Sequence, residues 1–127
     1  MAIKGKPRTE SSIMHGIQQA LGMRGWRVKR VPPSIYSAKG WCDLVAMRWG
    51  IVAFIECKSE KGKLSKDQAQ FGQEVTDAGC LYIVAKSEEF VVKVLDNIEI
   101  AFCDSKGNVG QLIKPVKGMR LMSDGRA

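Results

Sequence analysis

An α/β fold is predicted, with elements in the order helix, three strands, helix, strand, helix. Three observations predict it. Ile51 to Ile55 is apolar without alternation, the mark of a strand buried on both faces. The preceding segment WCDLVAM is separated from it only by RWG, so the two read as an antiparallel hairpin. On either side, TESSIMHGIQQALGM and SKDQAQFGQEVTDAG carry apolar residues at helical spacing, each with a glycine at or near its end.

The elements follow in chain order. Thr9 is the expected N-cap of a first helix whose stripe is Ile13, Met14, Ile17, Ala20 and Leu21, with Gly22 or Gly25 as its stop. WRVKRV alternates as a half-exposed strand, Trp26 and Val28 on one face and Arg27 and Lys29 on the other. PPSIYSAKG reads as a loop. The hairpin comes next, its second strand central. Ser65 then caps a helix with Gln68 in capping-box position, and Phe71, Val75 and Ala78 form its stripe before Gly79. CLYIVA is a further buried strand, Ser87 caps EEFVVKVLD, and IEIAF is a last strand-like piece. The domain is expected over 1–102, with 103–127 a basic tail.

At 127 residues the chain is one ordinary domain that can bury a core without staples. Cys42, Cys57, Cys80 and Cys103 include no C-x-x-C pair, and His15 is the only histidine. Neither a zinc cage nor a disulfide framework is indicated, and the cysteines read as free thiols. No apolar run approaches the roughly 20 residues that span a bilayer, and MAIKGKPRTE has no signal-peptide core, so a cytoplasmic protein without a membrane partner is expected. The net charge of +7, concentrated in RGWRVKR, KGKLSK and KPVKGMR, makes nucleic acid the leading partner, a solvated face being the alternative.

The chemistry centres on ECK. Side chains alternate along a strand, so Glu56 and Lys58 are neighbours on one face. An exposed pair of this kind is worth about 0–1 kcal/mol and needs no function. Asp43, however, begins the partner strand at the same open end of the hairpin. Two carboxylates about 4 Å apart repel by roughly 4 kcal/mol at an effective dielectric near 20, so such a pair implies a cation or a shared proton between them. Oxygen donors from Asp43, Glu56 and the backbone carbonyl of Cys57 favour Mg²⁺ or Mn²⁺ over zinc. Lys58 would then hold or deprotonate an attacking water. Glu10 lies on the apolar side of the first helix by spacing; its alternative role is to complement the helix dipole.

Asp43 followed by IECK, with Glu10 ahead and Gln68 behind, resembles the PD-(D/E)xK nuclease superfamily. The longer pattern GWCDLV, GIVAFIECKSEKGKLSKDQ and AG resembles more narrowly the VRR-NUC (virus-type replication-repair nuclease) family with its small stand-alone phage members, over about Glu10 to Leu95. The resemblance implies a restriction-endonuclease-like core, a central mixed sheet flanked by helices. It implies Asp43 and Glu56 as metal ligands, Lys58 as the water-positioning group, Glu10 as an acid reaching the metal through water, and Gln68 as a supporting polar residue. Cys42 stands where the name-giving proline usually precedes the aspartate.

The expected function is a metal-dependent DNA endonuclease acting on Holliday-junction or other branched DNA. A homodimer in a bacterial or phage-infected host cell is expected with it. The alternative is a non-catalytic nucleic-acid-binding module on a degenerate nuclease fold. Arg27, Lys29, Arg30, Lys39, Lys61, Lys63 and Lys66 are the candidate phosphate contacts. Trp26, Trp41 and Trp49 have two open readings, stacking on bases or packing in turn and core.

Overall fold

The computed structural model describes residues 8–32, 39–102 and 121–123. The element order is α1 (Glu10–Met23), β1 (Arg27–Arg30), β2 (Leu44–Arg48), β3 (Ile51–Cys57), α2 (Lys66–Asp77), β4 (Leu81–Ala85), α3 (Glu88–Phe102) and β5 (Leu121–Ser123). The strands form one mixed sheet in the order β1-β2-β3-β4-β5. The first two pairings are antiparallel and the last two parallel. β3 is therefore central, as its uninterrupted apolar run requires.

The hairpin turn consists of Trp49 and Gly50, both at positive φ (53° and 78°), between the paired residues Arg48 and Ile51. Two positive φ values in a two-residue turn match the right-handed twist of the strands. Trp49 tolerates that conformation with its ring 3.8 Å beneath the Arg48 guanidinium.

α1 and α3 cover one face of the sheet. Thr9 caps α1 by accepting from the Ser12 N–H (3.1 Å), and the helix buries Ile13, Ile17 and Leu21, one turn apart. These pack with Val91, Val94, Leu95 and Ile98 of α3 against Ala53, Ile55 and Ile83 of the sheet. α2 covers the other face, where Val75, Tyr82, Val84 and Cys42 form a smaller cluster. Gly72 and Thr76 line its inner side with Val75, whereas Ala78, expected in the stripe, is exposed at the helix end.

The segment 98–102, expected as a strand, is the end of α3. Val91, Val94, Leu95 and Ile98 recur at i, i+3, i+4 and i+7, so the helical period continues past Asp96 and Asn97, and burial of Ile98 outweighs the β-propensity of the isoleucines. Residues 121–123, within the expected tail, pair with β4 as an edge strand. The loop positions 33–38, Cys103 and the basic segment 114–120 lie outside the described residues. Among the described residues no helix is long and apolar enough to cross a membrane.

Candidate functional site

The site forms at the open end of the hairpin, where β2 and β3 part from their turn. The Leu44–Ile55 pair and the Asp43 N–H donating to the Ile55 carbonyl (3.0 Å) set Asp43 beside Glu56. Alternation along β3 sends Ile55 and Cys57 into the α1/α3 core and turns Glu56 and Lys58 toward α2. The hydrophobic pattern thus buries the carboxylate: Glu56 is 3% exposed.

Each acid is held by a different device. Asp43 Oδ2 accepts from the Cys57 backbone N–H at 2.8 Å. In an extended strand the N–H and C=O of one residue leave the same edge, so the Cys57 carbonyl is directed to the Asp43 side as well. The Lys58 N–H points the other way, to the Ala85 carbonyl (2.8 Å). Glu56 Oε1 accepts from Gln68 Nε2 at 2.7 Å. The same glutamine accepts from the Ser65 N–H through Oε1 (2.8 Å), while Ser65 Oγ accepts from the Gln68 N–H (3.1 Å). The capping box therefore does two jobs. By engaging the glutamine oxygen it forces the amide nitrogen toward Glu56.

Lys58 Nζ stands 3.8 Å from Glu56 Oε1, with its side chain 12% exposed. This excludes the exposed ion pair as the account of these two residues. The separation exceeds hydrogen-bond length, so the lysine donors are not spent on the carboxylate. Glu56 Oε2 is buried with no hydrogen-bond donor among the described residues. An oxygen of this kind is costly unless a proton or a cation meets it.

The electrostatics agree. The Glu56 carboxyl is raised to about 8, first by burial and then by the Asp43 charge, with Lys58 opposing both. Asp43 is also raised, chiefly by burial, against the lowering effect of the Cys57 N–H. The charge of Glu10 raises both acids. Glu10 itself is solvent-exposed in the first turn of α1, so it stands at the rim of the site and does not face inward into the core. The thiols nearby are inert. Burial pushes Cys42 up to about 12, with its Sγ donating to the Leu44 carbonyl, and Cys57 well above the usual thiol range.

Among the described residues no three His, Cys, Asp or Glu side chains gather at metal-holding distance. The donor set consists of two carboxylates, that of Glu56 with an orphaned oxygen, and a directed carbonyl. That set fits a hard divalent cation that keeps part of its water shell, and it offers nothing to a soft one.

No protein-family profile and no curated protein matches the chain. Among solved structures, one described as "VRR_NUC domain" superposes with a TM-score of 0.60 at 21% identity, covering 68% of this chain and 94% of that one. The fold is that of a VRR_NUC domain. On that VRR_NUC fold Asp43, Glu56, Lys58 and Gln68 converge, and Glu10 is within electrostatic reach.

The candidate phosphate contacts divide. Arg27, Lys29, Arg30, Lys39, Lys61, Lys63 and Lys66 are all exposed. Arg30 pairs with Leu44 next to Asp43, Lys61 and Lys63 lie in the loop leaving β3, and Lys66 opens α2, so these four frame the site. Arg27, three residues before Arg30 at the start of β1, pairs with Met47, toward the hairpin turn. Of the tryptophans, Trp26 is core and Trp49 is turn. Trp41 is neither. The sequence reading missed Ser65, whose backbone N–H orients the Gln68 amide; its cap signature was legible, its link to Glu56 was not.

Proposed function

We propose that the protein is a divalent-metal-dependent endonuclease that hydrolyses DNA phosphodiester bonds. Asp43, Glu56 and the Cys57 carbonyl would hold Mg²⁺ or Mn²⁺. The observation that carries this reading is the buried, donorless Glu56 Oε2 beside a second carboxylate, with the Lys58 ammonium 3.8 Å from the opposite oxygen. An acid pair so placed is destabilising unless a proton or a cation meets it, and a cation is the occupant that leaves both carboxylates charged.

A bound ion would supply charge stabilisation at a phosphate oxygen and make its water more acidic. Lys58 Nζ, near the carboxylates yet with donors to spare, holds the attacking water. The water oxygen forms the new P–O bond as the bond to the leaving sugar oxygen breaks; the Lys58 ammonium orients the water by donating to it, the proton the water loses passes to solvent, and the departing oxygen takes one up from solvent. Gln68 keeps Glu56 in one rotamer. Glu10 accepts from water at the rim. Arg30, Lys61, Lys63 and Lys66 bind phosphates on either side, with Arg27, Lys29 and Lys39 extending the track.

The finer reading follows the motif: branched DNA such as a Holliday junction is the substrate, a homodimer supplies the two cuts, and the cytoplasm of a bacterial or phage-infected host cell is the compartment. Labelled four-way, flap, splayed and linear substrates incubated with Mg²⁺, Mn²⁺ or EDTA test it. Cleavage is expected only with metal and first on the branched substrates. Binding of all four without cleavage under any metal would leave a binding module instead. Light scattering is expected to give twice the 14.0 kDa chain mass.

A further inference from the structure

Four aromatic rings run outward from the sheet on the α2 face. Tyr82 is fully buried; Phe71 and Phe54 are half-buried; Trp41 ends the series at 44% exposure. Each ring braces the next. Trp41 lies 4.9 Å from Phe71 at a 33° tilt and stands edge-on to Phe54 at 6.3 Å, while Phe71 meets Phe54 at 5.7 Å and Tyr82 at 6.2 Å, both edge to face. An indole braced by Phe71 and Phe54 and 44% exposed loses little freedom when something stacks on it.

Its backbone is fixed too. Gly40, at φ +85°, lies so close to the start of α2 that a Cβ there would collide with the Asp67 carbonyl oxygen. The loop carrying Trp41 is thereby clamped to the turn that presents Gln68 to Glu56. Trp41 is two residues from Asp43, and its neighbour Phe54 precedes Glu56 by one same-face position, roughly 7 Å along a strand. Exposed Lys39 flanks it, and Lys66 opens the helix to which the loop is clamped.

We propose that Trp41 is a stacking platform for an unpaired nucleobase beside the candidate active site, so that the protein selects nucleic acid with an unstacked nucleotide next to the bond it cuts. The inference rests on nucleic acid being the substrate, as proposed above. A base within a regular duplex has both π-faces occupied, whereas a base at a branch point or in a single strand has one to offer. Rigid indole, clustered cations and adjacent carboxylates together describe a site that reads a phosphate and the face of its base at once.

The test measures binding in EDTA, so that no outcome depends on cleavage. Fluorescence anisotropy compares a labelled oligothymidylate, the same strand with abasic residues, and a blunt duplex. The wild-type protein is expected to bind the base-bearing strand roughly tenfold tighter than the abasic one. Trp41→Leu, which keeps apolar contact with Phe71, is expected to lose that preference and to leave duplex affinity unchanged; Trp41→Tyr is expected to retain most of it. A 2-aminopurine base in the strand is expected to be quenched by the wild type and not by Trp41→Leu. Equal wild-type affinity for the base-bearing and abasic strands overturns the platform without using a variant, as does discrimination that survives in Trp41→Leu. Metal-dependent cleavage alongside equal affinities would sink the platform alone. Failure to bind any probe at low salt would sink the proposed substrate with it.

Discussion

The two faces of the sheet are built to different rules, although they share every strand. Under α1 and α3, Ile13, Ile17, Leu21, Val91 and Leu95 meet Ala53, Ile55 and Ile83 with no polar side chain among them. Under α2 the apolar cluster is small, four rings lean outward, and a carboxylate is buried at the edge. Adjacent residues of β3 belong to opposite regimes: Ile55 contributes to the core, while Glu56 carries an oxygen with no hydrogen-bond donor among the described residues. The fold draws its stability from the α1/α3 face. A face that buries apolar side chains allows the opposite face to hold an acid pair whose charges oppose folding until a proton or a cation meets them.

Lys58→Met acts on the α2 face alone. In the proposed function it lowers cleavage about 1,000-fold or more, about 4 kcal/mol of barrier, while equilibrium binding of the same DNA changes little because other cations contact phosphate. Asp43→Asn and Glu56→Gln are also expected to lose cleavage, with partial rescue by raised Mn²⁺ that the lysine variant does not share. A Lys58→Met protein that cuts at the wild-type rate ends the mechanism.

Ile17→Ala probes the other face. Denaturant unfolding is expected to show a loss of about 2–5 kcal/mol from the transfer and cavity costs, with cleavage per folded molecule unchanged. Should that substitution alter the metal dependence of cleavage, the two faces are not separable.

Gln68 separates structure from site within one residue. Gln68→Glu preserves the capping-box acceptor but puts a like charge against Glu56, so activity is expected to fall about tenfold or more with the helix cap intact. Gln68→Ala loses the cap bond as well and is expected to cost about 1 kcal/mol of stability in the same unfolding assay.

The smallest expected effect is on pH dependence. Glu56 has its carboxyl raised from 4.5 to about 8 in the fold, so the folded chain holds that proton more tightly than the unfolded chain does. Its contribution to stability is complete below the unfolded value and is lost as pH rises through the folded one. Thermal unfolding without metal is therefore expected at lower temperature at pH 9 than at pH 5, with a flatter profile for Glu56→Gln. Added Mg²⁺ competes with the proton and is expected to raise the midpoint more at the higher pH. Equal Mg²⁺ stabilisation at both pH values would disconnect the ion from Glu56.

Much of this molecule was legible in its sequence, and the failures have physical causes. Apolar periodicity placed α1, the hairpin, α2 and β4, because those patterns report burial directly. It misassigned residues 98–102: two isoleucines alternating with other residues suit a strand locally, and only the packing of Ile98 into the α1–α3 core selects a helix there. Glu10 was expected to face inward from its spacing to Ile13. Spacing fixes direction around the axis but not depth, and the first turn of α1 lies at the edge of the core. Asp43, Glu56 and Lys58 were found together because a hairpin register follows from a short turn and strand alternation.

By itself, then, the order of residues determined which side chains share a face and which ends of elements meet: local periods and short connections specify both. Tertiary structure alone decided depth and orientation. It buried Glu56 and left Glu10 in solvent, turned the Gln68 amide from its helix cap onto a carboxylate, and set Trp41 at the open end of an aromatic stack beside the acids. Those outcomes depend on how far one layer stands from another, a distance set by every side chain between them and written in no short stretch of the chain.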